Sequence, residues 1–141
     1  MIIKFDQYIN ESIYTDEFTR LYNLAPESLK EEVDKTKTIE QNPLWHSEIY
    51  VYVHIKLVTN RLFNCYHDNN LTLSGFFHDL GKIYTTIFND KKNSWSSPGH
   101  EEISIEIIDK YQDWIKHQGG DINIIKYIVI NHMRYKELDN M

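Results

Sequence analysis

The 141 residues suit one domain, and a hydrophobic fraction of 41% is enough for an ordinary core. The net charge is −6, and Lys and Arg are scattered among more numerous Asp and Glu, which argues against the basic stripe that binds an extended duplex; a small nucleotide or an RNA end stays open, because a metal ion can supply local positive charge. No apolar run approaches the ~20 residues that span a bilayer, Lys4, Asp6 and Glu11 interrupt any signal-peptide stretch, and the single Cys65 allows no intramolecular disulfide and reads as a small buried hydrophobe, so the expected location is the reducing cytoplasm.

In chain order, residues 1–40 predict an N-terminal helical extension. It holds a short amphipathic piece (Ile3, Phe5, Tyr8, Ile9) and a charged helix opened by Pro26 and running to about Lys35. Residues 47–66 form the longest periodic segment, with Val51, His54, Ile55, Val58, Leu62 and Cys65 on one helical face. The run from Ile49 to Val53 is also strand-like, but length favours a helix. Residues 71–80 predict a shorter apolar helix, closed by Gly81 in a left-handed cap.

Residues 84–97 read as a polar connection. Ser97 and Pro98 then open a helix as N-cap and first-turn proline, with Ile103, Ile107, Tyr111 and Trp114 as its apolar stripe and Gly119–Gly120 as its end. Asp121 caps the last helix, whose inward face is Ile122, Ile125, Val129 and His132. The predicted fold is an all-α compact bundle of five to six helices, a single domain with its motif-bearing core at 43–134.

Four of the seven histidines, His54, His78, His100 and His132, fall where helix faces point inward or helices begin and end. The strongest local signal is Phe76-Phe77-His78-Asp79-Leu80-Gly81-Lys82. Neighbouring helical residues differ by ~100° in direction, so His78 and Asp79 can reach one ion from adjacent sides. Imidazole with carboxylate suits Mn, Fe, Co, Ni or Zn, and the carboxylate tolerates Mg. Each histidine taken singly is equally well a core residue bonded to a carbonyl or carboxylate.

Residues 43–134 resemble the HD-domain metal-dependent phosphohydrolases, most nearly the HD domain attached to bacterial tRNA nucleotidyltransferases. The motifs are Asn42-Pro43-Leu44-Trp45-His46-Ser47-Glu48 with Val53-His54, then Phe77-His78-Asp79-Leu80-Gly81-Lys82, Gly99-His100-Glu101-Glu102, and Asn131-His132-Met133-Arg134, in family order. The resemblance implies that His54, His78 and Asp79 ligate a divalent metal. It implies that Lys82 faces a substrate phosphate, and that His100 and His132 contact phosphate or complete a second metal position. Family members usually add an Asp from a later helix. Only Glu137 and Asp139 follow His132 here, so Asp139 is the candidate fourth ligand, with water or a partner chain as alternatives.

The expected activity is attack of a metal-bound water on a nucleotide or RNA-end phosphate ester, as in a phosphatase, nucleotidase or cyclic phosphodiesterase. Asp79 could also orient that water, and Lys82 is either a mobile positive charge at the phosphate or a solvated lysine at a helix end. His46 lines the pocket mouth or caps a surface helix, and Arg134 contacts phosphate or solvent. Trp45 and Trp95 stack on a base or simply pack; His67 and His117 have no expected role. Two other readings carry different chemistry: a di-iron HD-fold oxygenase, and a decayed binding module. A homodimer is compatible with the family, without a sequence pattern to support it. The Ile-, Asn-, Lys- and Tyr-heavy usage suits an AT-rich genome, and Ile3–Glu11 resembles the start of some tailed-phage proteins, which would place the chain in a host cytoplasm.

Overall fold

A computed structural model describes residues 14–42 and 49–139, with side chains described as far as His132. The expectations for residues 1–13 and for Trp45 and His46 lie outside the described residues. Asp16 begins the first helix, α1 (Glu17–Leu24), its carboxylate accepting from the Thr19 N–H. Pro26 stands at the N-cap of α2 (Glu27–Lys35), which buries Leu29 and Val33, one turn apart. A 3-10 turn (Thr36–Thr38) leads into an extended segment. There the Gln41 N–H donates to the Ile49 carbonyl at 2.9 Å and the Val51 N–H to the Ile39 carbonyl at 2.9 Å.

The strand-like run at 49–53 is thus divided. Ile49 and Tyr50 pair as extended chain, and α3 (Val51–Tyr66) begins only at Val51. α4 (Asn69–Phe77), capped by Asp68, follows a left-handed His67, and α5 (Lys82–Thr85) is a single turn. The expected polar connection holds a hairpin, β1 (Ile87–Asn89) antiparallel to β2 (Ser94–Ser96), with Phe88 opposite Trp95. α6 (His100–Lys110) and α7 (Gln112–His117) were expected as one helix; the chain breaks at Tyr111, whose φ of −108° and ψ of 22° leave the helical region. α8 (Ile122–Asp139) ends the described chain. Asp121 caps it, accepting from the N–H groups of Asn123 and Ile124.

The result is an all-α bundle carrying one small hairpin. Its core draws on nearly every helix: Phe18 and Leu21 from α1, Val33 from α2, Ile55 from α3, Phe76 and Phe77 from α4, Ile108 from α6, Ile115 from α7, Ile125 and Val129 from α8. Each such side chain contributes about 1.5–3 kcal/mol by leaving water. α4 sits centrally, with Thr72–Phe77 buried on all sides, and packs on α3, α6 and α8. Gly75 permits the close crossing with α3, since a Cβ there would stand 3.0 Å from Leu62 Cδ1 and 3.3 Å from Thr59 Cα. Among the described residues no helix is long and apolar enough to cross a membrane.

Two further expectations about local structure fail for stated reasons. Cys65 is exposed, because the inward face of α3 continues through Thr59, Asn60 and Asn64. Those asparagines hold the start of α1: Asn60 Oδ1 accepts from the Phe18 N–H at 2.8 Å and Asn64 Oδ1 from the Thr15 N–H at 3.0 Å. Gly81 is not a left-handed cap; its φ is −60°, and the chain continues directly into α5. We expect Asn60→Leu to leave the buried Phe18 N–H unpaired and to lower unfolding free energy by about 1–3 kcal/mol. Urea denaturation followed by circular dichroism reads this; an unchanged midpoint would show that the clamp contributes nothing.

Candidate metal centre

Five elements deliver side chains to one point. His54 lies on the inner face of α3, between Val51 and Ile55. His78 is the C-cap residue of α4, and Asp79 follows in the turn before α5, whose first residue is Lys82. His100 is the first residue of α6 and His132 lies on the inner stripe of α8. The left-handed residue that makes this junction possible is Gly99, with φ of 75°, rather than Gly81; Ser97 and Pro98 precede the helix instead of opening it.

Asp79 is completely enclosed, and among the described residues neither of its oxygens makes a hydrogen bond of good geometry. Oδ2 lies 3.2 Å from His78 Nε2 and 3.4 Å from His54 Nε2, and those two nitrogens are 3.3 Å apart. Oδ1 lies 3.2 Å from His100 Nε2 and 3.8 Å from His132 Nε2, again with 3.3 Å between the nitrogens. Atoms bound to one first-row ion at about 2.0–2.2 Å stand roughly 3.0–3.5 Å apart in octahedral or tetrahedral arrangements. The first triad matches that spacing, and the second exceeds it on one edge only. The carboxylate is shared by both.

The protonation pattern of three of the rings is set from behind. His78 Nδ1 faces the Gly75 carbonyl at 2.7 Å, His100 Nδ1 the Ser97 carbonyl at 3.0 Å, and His132 Nδ1 the Val129 carbonyl at 2.6 Å. A carbonyl oxygen only accepts, so each Nδ1 carries the hydrogen and each neutral ring presents a lone pair at Nε2. The three carbonyls all come from the residue three positions earlier, so local backbone geometry supplies the orienting partner that metal-binding histidines require. Without a metal, a proton on Nε2 of His78 or His100 lets the ring donate to Asp79. Metal binding therefore displaces protons.

Charge follows from this enclosure. Burial pushes the Asp79 carboxyl up, but in the metal-free chain His78 carrying a proton on Nε2, the Lys82 ammonium and a donating His100 override it and hold the group well below the usual carboxylate range. Burial, added to by His78 whenever that ring is protonated, takes His132 down to about 4 against the opposing pull of Asp79. Lys82 is buried, not solvated: its Nζ lies 3.4 Å from Asp79 Oδ2 and donates to Gln41 Oε1 at 3.2 Å.

The structure thus brings together His54, His78, Asp79, Lys82, His100 and His132. The side chains of Arg134 and Asp139 lie outside the described residues, although α8 runs unbroken to Asp139. Two contributors escaped the sequence reading. Gln41 holds Lys82. Ser104 Oγ accepts from the Gly81 N–H at 2.8 Å and donates to the His78 carbonyl at 2.9 Å, tying α6 to the His78–Lys82 turn. Its signal was a small polar residue four positions after His100 on an otherwise apolar face. Trp95 packs on Phe88 in the hairpin, and His67 and His117 are exposed. Searches against protein families, curated proteins and solved structures find no match to this chain.

Two outcomes are expected. A Cβ at Gly81 would stand 2.1 Å from the His100 carbonyl oxygen and 2.8 Å from Ser104 N. Gly81→Ala therefore forces α6 outward, costing about 3 kcal/mol in a thermal or urea melt; an unperturbed melt would contradict the close approach. In chelator, the unfolded chain binds a proton at His132 more readily than the folded chain between pH 6.5 and about 4. Stability should fall as pH falls through that window, by at most about 3 kcal/mol from this group, and His132→Gln should flatten that part of the profile. Equal pH slopes in the two proteins would count against a buried neutral ring.

Proposed function

We propose that the chain is a metal-dependent phosphohydrolase of the HD-domain type, acting on a small phosphorylated substrate such as a nucleotide or an RNA end. The observation that carries this reading is the fully buried Asp79 carboxylate, whose two oxygens are ringed by four imidazole Nε2 atoms at 3.2–3.8 Å, with the Lys82 ammonium at 3.4 Å. One ammonium beside Oδ2 leaves the Nε2 lone pairs of the rings and Oδ1 facing one another, a setting that a divalent cation would relieve. The His54–His78–Asp79 and Asp79–His100–His132 groups would each hold one divalent ion. The residues are those of the family motifs, in family order.

A divalent ion bound there supplies Lewis acidity toward a phosphoryl oxygen and acidifies water. The chain's own residues do the rest. The Gly75, Ser97 and Val129 carbonyls keep lone pairs aimed inward at His78, His100 and His132. Asp79 can serve both halves of the site through its two oxygens. Lys82, held by Gln41, provides a fixed positive charge beside the carboxylate, placed to meet an anionic substrate where charge grows in phosphoryl transfer. Imidazole and carboxylate ligands favour Mn, Fe, Co, Ni or Zn over an all-oxygen Mg site.

The test is a panel of nucleotides and 3′- or 5′-phosphorylated oligonucleotides assayed for phosphate release with Mn, Co, Ni, Zn and Mg. Release by the wild-type chain, lost with Asp79→Asn and reduced about 10²–10³-fold in kcat by Lys82→Met, supports the reading. Metal binding without release from any substrate, accompanied by oxygen uptake in the iron-loaded protein, would replace it with the oxidative alternative.

A further inference from the structure

The hairpin joins two elements of the metal centre and, among the described residues, contributes no side chain to the core. β1 follows α5, which opens with Lys82, and β2 leads through Ser97, Pro98 and Gly99 into His100. Phe88 and Trp95 stand opposite each other across the strands and so share one face of the ribbon, their ring centroids 5.2 Å apart at 72°. That geometry sets the edge of one ring against the face of the other, so one ring keeps both faces clear of its partner. Phe88 is 44% exposed and Trp95 is half-buried. The opposite face, with Ile87, Asn89, Ser94 and Ser96, holds no ring.

A two-stranded hairpin is marginal alone in water, yet this one is held at both ends. At the stem, the Thr86 and Ser97 hydroxyls share a hydrogen bond of 2.6 Å. At the tip, Asn89 Oδ1 accepts from the N–H groups of Lys91 and Lys92 at 3.1 and 3.2 Å, and Asn93 takes a left-handed position with φ of 50°. Lys91 and Lys92 are adjacent and exposed there. Between Tyr84 and Pro98 they outnumber the single acid, Asp90, although the whole chain carries −6. The stem is tied to the metal centre, because the Ser97 carbonyl accepts from His100 Nδ1 at 3.0 Å. Trp95 lies five residues before His100, so at most about 18 Å separates their Cα atoms.

An open ring beside two cations matches what a single nucleic-acid strand presents together: base faces and phosphates. An acidic peptide would meet the lysines and leave the ring bare, and a duplex hides its base faces inside. A mononucleotide at the centre leaves this surface unused, whereas a strand ending there has further bases and phosphates to lay on it. We propose that the hairpin is a docking platform for single-stranded nucleic acid, with Phe88 stacking on a base and Lys91 and Lys92 meeting phosphates. Joined to the phosphohydrolase reading above, on which this last step rests, the platform selects the terminal phosphate of a strand over a free nucleotide.

The experiment is fluorescence anisotropy of a short fluorescein-labelled oligothymidylate titrated with the full chain in chelator, so that binding is read without metal or turnover. The wild type should bind with a dissociation constant of about 10⁻⁴–10⁻⁶ M at moderate salt, and should bind a duplex of the same length at least tenfold more weakly. Phe88→Leu keeps apolar bulk but removes the ring, and should weaken strand binding about tenfold at every salt concentration. Replacing both lysines, Lys91→Gln with Lys92→Gln, should reduce the slope of log affinity against log salt by about 1.4. Those lysines are exposed, so their variant reads the proposal even if Phe88→Leu loosens the hairpin. Absence of strand binding overturns the proposal, as does binding unaltered in both variants. Equal affinity for the duplex overturns it too, as does polyglutamate displacing the strand as well as unlabelled oligothymidylate does. In each of those cases the metal centre and the phosphate-release assay stand apart from the result. Strand binding that meets the criteria, with no phosphate released from any substrate, supports the platform and removes only the phosphohydrolase reading.

Discussion

The structure depends on one buried negative charge. Asp79 has no solvent exposure, and taking a carboxylate that far from water costs several kcal/mol unless its oxygens find compensation. The surrounding architecture answers that cost from five elements: the face of α3 (His54), the end of α4 (His78), the start of α5 (Lys82), the start of α6 (His100) and the face of α8 (His132). Lys82 supplies a formal positive charge, and the rings supply either protons or lone pairs. The core is arranged to let these elements meet. Gly75 allows α3 and α4 to cross closely, which brings the His54 and His78 rings within 5.3 Å of each other, and Gly81 allows α6 to lie against the turn.

The capacity for metal follows from which of those two compensations the backbone favours. Three carbonyls hold the hydrogen on Nδ1, so neutral rings aim lone pairs at a carboxylate that also has only lone pairs to offer. Lone pairs facing lone pairs at 3.2–3.4 Å repel unless something positive stands between them. Protons can fill that role at low pH, and a divalent cation could fill it near neutrality. The stability of the centre and its capacity for metal are therefore two aspects of the same electrostatic requirement.

Much of this was legible in the chain. Periodicity located the long helix around His54, the stripe ending at His132 and the Asp121 cap, because each buries aliphatic residues at helical spacing. The clustering of His54, His78, Asp79, His100 and His132 was expected from ordered motifs; no single histidine could have carried it. The misreadings share a physical origin. Hydrophobic patterning cannot see Asn60 and Asn64, which point inward because they bond the backbone of a segment more than 40 residues away. For the same reason it placed Cys65 inside. Glycine invites a left-handed reading, but at Gly81 the constraint is the His100 carbonyl of another helix, which leaves no room for a Cβ, a fact of tertiary packing. Gln41 and Ser104 are also invisible locally, since each acts on a residue more than 20 positions away.

The most direct test of the central claim is anomalous scattering from crystals grown with manganese. The account predicts a peak bonded to Asp79 and to imidazole Nε2 atoms, with His78, His100 and His132 still donating through Nδ1 to the Gly75, Ser97 and Val129 carbonyls. Density empty beside Asp79 at saturating metal, with the Nε2 atoms still at hydrogen-bond distance from the carboxylate, would contradict it.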